Sequence, residues 1–170
     1  DQIAAKHSWN RTCFIQGTSD FDSHVRCLLE ENEMANFPMG GVEPHALVLR
    51  KFLKLRTFFT AYEGMPVARE FRFFATNGAI DCWHPYWPHG ALEEGARGRI
   101  DDWKQYLPEL EAPPPKQTYK IVTMVSRQFP EQVSIDICED QERKWWMTDM
   151  ACGSQSFHWA HGTADGGGRA

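Results

Sequence analysis

The sequence predicts an α+β fold of antiparallel β-sheet lobes with packed helices, and three stretches carry that expectation. Asn77-Gly78 lies between two runs rich in aromatic residues. It is the strongest short hairpin signal, because a type I′ turn needs φ > 0 at both central positions. Residues 133–138 and 144–150 are two further β-type runs flanking the polar segment 139–143, which reads as a second hairpin. Between the hairpins, Tyr119, Val122, Val125 and Phe129 recur at helical spacing, as on the inner face of an amphipathic helix. A chain of 170 residues has ample length for a buried core, as one domain or two small lobes.

Composition narrows the class. The net charge of −5 argues against broad attraction to nucleic acid or a membrane surface, though not against a local basic groove. No apolar run approaches the roughly 18 residues that a membrane span needs. The five cysteines are scattered and form no CxxC. That pattern lacks a zinc signature and a disulfide framework, and implies reduced intracellular thiols. The first residue is Asp rather than Met, and no signal segment follows it, so the expectation is a piece of a longer protein.

Residues 3–17 begin with small and polar residues and then enter a short strand at 12–15. Their loop carries Lys6, His7, Ser8 and Asn10 and can fold over an anion, with Lys6 as a point charge. It has no P-loop glycines, and a frayed terminus is the plain structural alternative. Ser19 or Asp20 can cap a helix running to about Ala35, with Phe21, Val25, Leu28 and Leu29 on one face. Residues 36–44 read as a loop, and 46–55 as a strand leaving into a linker. Arg50, Lys51, Lys54 and Arg56 make that the most basic stretch, suited to phosphates or simply a solvated edge.

Residues 57–67 read as an irregular, turn-rich segment of the sort that forms lids. In the hairpin at 69–87, Glu70 and Arg72 fall on one face, and Phe71 and Phe73 on the other. A reactive front over an apolar back is one reading; a single exposed ion pair, worth little, is the other. Trp83, Tyr86 and Trp87 either stack a ligand, carbohydrate included, or pack the strand end. Residues 92–98 read as a loop, 100–107 as a short helix, and 108–115 as a connector. Pro115 then occupies the first position of the next helix, which Phe129-Pro130 ends. Residues 151–156 form a small-residue turn able to aim N–H groups at an anion, and 162–170 are a flexible tail.

The hairpin over 133–150 holds the sharpest chemistry. A two-residue loop centred on Glu142 and Arg143 pairs residue 136 with 149, so Asp136 and Asp149 share one face while Val133, Ile135 and Ile137 enter a core. Like charges directly opposite on a sheet are destabilising. A divalent cation between them resolves that conflict, and Mg²⁺ is commonly held by one or two carboxylates plus substrate phosphates. The alternative is two solvated aspartates in another register.

The order of these pieces resembles the core of the ATP-grasp superfamily, and most closely the divergent ATP-grasp proteins common in phage and bacterial genomes. Two stretches carry the likeness, REFRFFATNGAIDCWHPYWP from Arg69 and SIDICEDQERKWWMTDM from Ser134. The resemblance implies an ATP-grasp-like fold incomplete at its N-terminus. Residues 1–50 would be a remnant of the small lobe, 51–161 the C-terminal lobe with the metal-binding hairpin, and 162–170 the tail. It implies ATP and Mg²⁺ as cofactors, with Asp136 and Asp149 as metal ligands. Glu70 would hold the ribose hydroxyls, Arg72 would face the phosphates, and Lys6 would cover the triphosphate. The backbone of Phe52 and Leu53 would meet the adenine edge.

The implied activity is that of a carboxylate–amine ligase. ATP phosphorylates a small-molecule or peptide carboxylate, an amine attacks the acyl phosphate, and ADP and phosphate leave. Asp136→Asn or Asp149→Asn would then abolish ADP formation and leave the fold intact. Cytoplasmic location, in the host if phage-encoded, and no nucleic-acid or membrane partner complete the expectation. Lys51 stands where a Glu often precedes the adenine-contacting backbone, and Ala151 where most members place an Asn that completes metal coordination, with Ser154 or Gln155 as possible substitutes. The N-terminal domain and its phosphate-binding Lys or Arg are absent from this chain. These departures suit an alternative, a non-catalytic nucleotide-binding or interaction module derived from such an enzyme.

Overall fold

The structure, a computed structural model, describes residues 17–36, 50–61, 65–87, 89–96 and 102–158. The expected strand at 12–15, the loop with Lys6, most of 36–49 and the tail at 162–170 lie outside those residues. The chain divides into two compact units, Asp1–Phe52 and Leu53–Ala170. In the first, a 3₁₀ turn at Thr18–Asp20 runs into α1 (Phe21–Asn36). Phe21, Val25 and Leu28 are half-buried and Glu30 and Glu33 are exposed, the amphipathic division that the spacing predicts.

The second unit opens with two corrections. Residues 50–54, expected to be part of a strand, join no sheet. The segment reaches the structure through one isolated bridge, Leu55 to Asp140, and through Arg56 N–H donating to the Glu139 carbonyl at 2.9 Å. The segment expected to be irregular is instead a two-stranded antiparallel sheet, β1 (Thr57–Ala61) and β2 (Met65–Ala68). Its aromatic and β-branched residues favour a pleated surface. Pro66 sits opposite Thr60 and is exposed, as a proline in an isolated ribbon can be.

The main sheet has four antiparallel strands in the order β4-β3-β5-β6. β3 (Glu70–Thr76) and β4 (Ala79–Pro85) form the expected hairpin. Asn77 and Gly78 both have positive φ, 47° and 87°, as the type I′ turn requires. β5 (Val133–Glu139) lies beside β3, and β6 (Trp145–Cys152) forms the outer edge.

The back of this sheet is apolar. Phe71, Phe73, Ile135 and Ile137 are fully buried there with Trp83 and Trp145. α4 (Lys116–Ser126) covers them, with Val122 fully buried and Tyr119, Val125 and Phe129 packed alongside. Phe71 stacks on Trp145 at 5.7 Å between ring centroids and meets Trp83 edge-on at 5.7 Å. Each such ring contributes roughly 1.5–3 kcal/mol through burial. Pro115 caps α4 in an extended conformation rather than entering its first turn.

A second core joins Phe59, Val67, Trp87, Leu92, Trp103 and Leu110. It explains a further correction: residues expected to form a loop are α2 (His89–Ala96), whose Leu92 is 1 % exposed. Glycines weaken the local helix signal, and packing overrides them. Trp103 lies in a 3₁₀ turn, Trp103–Tyr106, and α3 (Leu107–Leu110) takes up Pro108, which was expected to open a connector. Trp83 and Trp87 are buried in the two cores, 7 % and 9 % exposed, which leaves no exposed ring platform for a sugar at either.

Candidate functional site

The site is built on the front of the main sheet, opposite the aromatic core. On β3, Glu70 and Arg72 alternate with buried Phe71 and Phe73, so strand pleating alone sends both charges forward. Across β5, Glu70 pairs with Cys138 and Arg72 with Asp136. On the far side of β3, Arg72 faces His84.

Asp149 reaches this face by an unexpected route. The turn between β5 and β6 is a three-residue loop at 141–143 rather than the two-residue loop expected, closed by Asp140 N–H donating to the Lys144 carbonyl at 2.9 Å. Arg143 takes φ 65°. An odd loop slips the register by one: Glu139 pairs with Trp145, Cys138 with Trp146 and Ile137 with Met147. Continued unbroken, that register would set Asp136 against Thr148 and turn Asp149 to the back. A β-bulge between Ile137 and Asp136 absorbs the slip, and Asp136 pairs with Asp149 after all. The expected carboxylate pair is present, through two departures that cancel. Bulges re-aim side chains in this way beside active sites.

Thr148, the extra residue of the bulge, was not singled out by the sequence. Its hydroxyl lies 3.2 Å from the Asp136 carbonyl and 3.3 Å from Glu70 Oε1, so it ties β6 to β5 and to the Glu70 carboxyl. The signal that points to it is the odd loop length, which is legible only once the turn type is known.

Arg72 grips Asp136 in a fork. Nε donates to Oδ1 and Nη2 to Oδ2, both at 2.8 Å. The third nitrogen, Nη1, donates to the Phe157 carbonyl at 3.3 Å. The guanidinium also lies 4.8 Å over the Tyr86 ring, where the π-face adds attraction. Asp136 holds the Arg72 pKa above its ordinary value. Burial, and then the neighbouring Asp136 charge, push the Glu70 carboxyl up to about 8 against the hydrogen bond from Thr148. Burial likewise pushes Tyr86 up to about 12 and His84 down to about 4. His84 Nδ1 lies 2.8 Å from the Pro85 carbonyl, and the neutral ring donates there.

Three carboxyl groups thus meet one guanidinium. Their hard oxygens suit a cation such as Mg²⁺ that brings its own waters and phosphates. They do not make a cage: among the described residues no group of three or more His, Cys, Asp or Glu side chains is placed to hold a metal. Ala151 pairs with Ser134 and is exposed, so it adds no ligand. Ser154 and Gln155 are exposed or half-buried in a 3₁₀ turn. The turn's expected anion-binding N–H groups are partly taken, since Gly153 N–H donates to the Gln132 carbonyl at 2.9 Å.

Of the other expected site residues, Phe52 is 61 % exposed and Leu53 is half-buried. They fall at the end of the first unit and the start of the second. Lys6 lies outside the described residues.

A family model described as an ATP-grasp domain, the third family of its clade, matches residues 1–164. The chain belongs to the ATP-grasp superfamily. Its helices and antiparallel sheets are consistent with that fold. ATP-grasp domains bind ATP, typically with Mg²⁺, and the membership suggests an ATP-dependent function of ligase type or related to it. Neither the curated proteins nor the solved structures offer a match to the chain. Among the described residues no helix is long and apolar enough to cross a membrane.

Proposed function

We propose that this ATP-grasp domain serves an ATP-dependent carboxylate–amine ligase. The reaction forms an acyl phosphate on a carboxylate substrate and joins the acyl group to an amine or similar nucleophile. The γ-phosphoryl group passes to a carboxylate oxygen as ADP leaves; the amine nitrogen then attacks the acyl carbon, and phosphate leaves with the electron pair of the broken C–O bond. The observation that carries the reading is the front face itself, where Glu70, Arg72, Asp136 and Asp149 converge within the matched family region.

Catalysis of this kind is mostly positioning and charge neutralisation. Asp136 and Asp149 are the residues to hold Mg²⁺, which when bound neutralises phosphate charge. Arg72, with its planar fork, is the residue to orient phosphate oxygens. Glu70 is placed to accept hydrogen bonds from ribose hydroxyls, with Thr148 fixing its carboxyl. Lys6 covers the triphosphate, and the Phe52 and Leu53 backbone meets the adenine edge. The acceptor and donor are small molecules or peptides, and the setting is cytoplasmic.

Isotope transfer tests the reaction type. A carboxylate pool labelled with ¹⁸O, incubated with the full chain, MgATP and amines, should deliver one ¹⁸O into inorganic phosphate per ADP formed. ADP formation with unlabelled phosphate would instead signify plain hydrolysis. Exposed Ala151 supports a second reading, a nucleotide-binding or interaction module without turnover. That reading expects nucleotide binding and no ADP formation with any pool.

A further inference from the structure

Both carboxylate oxygens of Asp136 are taken by one guanidinium at 2.8 Å each, and the side chains of Arg72 and Asp136 are only 15 % and 6 % exposed. Arg72 is steadied further by the Phe157 carbonyl and the Tyr86 ring. A cation that reaches for Asp136 must therefore displace Arg72. A displaced guanidinium in a partly buried site needs a replacement anion, because an unpaired buried charge is strongly destabilising. The fork that grips a carboxylate with two parallel bonds grips a phosphate equally well.

We propose that the site accepts its divalent cation only as a cation–polyphosphate complex, with Arg72 acting as the lock. In the free protein Arg72 closes Asp136. When a nucleotide arrives, its phosphate oxygens take over the Arg72 fork, and Asp136 is released to the cation. The inference rests on the nucleotide reading above and adds to it a rule of binding: cation and polyphosphate enter together, and the free cation is refused. By linkage, each must raise the affinity for the other by the same factor.

Equilibrium dialysis of the full chain against Mn²⁺ tests this, with and without a β,γ-imido analogue of ATP. The proteins are wild type, Arg72→Gln, Arg72→Lys and the double variant Arg72→Gln/Asp136→Asn. The wild type should bind Mn²⁺ alone at least about tenfold more weakly than with the analogue, within the usual range of coupling between sites. Arg72→Gln should bind Mn²⁺ alone at least about tenfold more tightly than the wild type by the same coupling. Arg72→Lys, which keeps the charge and loses the fork, should move the same way by less, and it preserves the test where the Gln variant folds poorly. The double variant should return to the wild-type level.

Wild-type protein that takes up Mn²⁺ alone as tightly as both Arg72 variants would overturn the lock. A gain in the Arg72 variants with no effect of the analogue on the wild type would keep the lock and overturn the nucleotide reading beneath it. No uptake by any protein, with or without the analogue, overturns both.

Discussion

Arg72 and Asp136 are joined by two parallel hydrogen bonds of 2.8 Å across adjacent strands, 64 positions apart in the chain. This relationship changes the expected behaviour of an aspartate substitution. Asp136→Asn was expected to leave the fold intact, but Asn can accept only one of the two Arg72 bonds and leaves the guanidinium without its counter-charge. We expect a loss of roughly 2–4 kcal/mol, somewhat below the cost of breaking a fully buried pair, read from urea denaturation. A variant as stable as wild type would show that the fork contributes nothing in solution.

Thr148→Val removes both hydroxyl contacts of the bulge, at 3.2 and 3.3 Å, with little change in shape. The expected cost is about 1–2 kcal/mol, the usual penalty for leaving a buried acceptor unpaired. Thr148→Ser should recover most of it, because the hydroxyl and not the methyl is at issue. Equal stability of the Val and Ser variants would contradict this.

Glu70 gives a pH signature in metal-free buffer. Its folded pKa of about 8 lies above the ordinary carboxyl value, so the folded state holds a proton that the unfolded state has lost. Stability from this group is therefore full below the unfolded pKa and falls as pH rises toward 8. Glu70→Gln mimics the protonated form in both states. Its stability relative to wild type should rise between pH 5 and 9 by at least about 1 kcal/mol, since one pKa unit corresponds to about 1.4 kcal/mol. A difference that stays flat across that range would place Glu70 in contact with solvent.

Thiol labelling separates two cysteines on neighbouring strands. Cys152 is exposed, whereas Cys138 is fully buried and burial pushes its thiol far up. A thiol reagent near neutral pH should modify Cys152 in the native protein and reach Cys138 only with unfolding, because the thiolate is the reactive form. Rapid native labelling of Cys138 would mean that β5 opens locally.

Gly78→Ala tests the hairpin turn. Gly78 holds φ 87°, and an added Cβ would meet Arg127 Cγ at 2.5 Å. A loss of about 1–2 kcal/mol is expected from the unfavourable backbone and the forced movement of Arg127. Thermal denaturation reads it, and an unchanged Tm would show that the turn is not held in this form.

Local signals carried a good part of this architecture. The Asn77-Gly78 turn and the helical spacing of Tyr119, Val122 and Val125 are each contained within a few residues, and both elements form where expected. α2 escaped notice because its stability comes from Leu92 entering a distant core, while its own glycines speak against a helix. β1 and β2 escaped because Pro66 masks the strand pattern. The pairing of Asp136 with Asp149 was legible, though the reason given for it was not: an even loop was assumed, and an odd loop plus a bulge produced the same partners. The Arg72–Asp136 fork was beyond reach, because it depends on β3 lying beside β5, and no local pattern fixes the register of strands so far apart.

The central claim is that the Glu70, Arg72, Asp136 and Asp149 face is the Mg²⁺ end of a ligase site. Asp149→Asn tests it most directly, since the Arg72 fork closes on Asp136 and survives the change. The measurement is Mg²⁺-dependent ADP formation by the full chain with a pool of carboxylates and amines, wild type against variant. The account predicts turnover in the wild type and a loss of at least about a hundredfold in the variant, as for removal of a group that stabilises transition-state charge. An Asp149→Asn protein that forms ADP at the wild-type rate would contradict it.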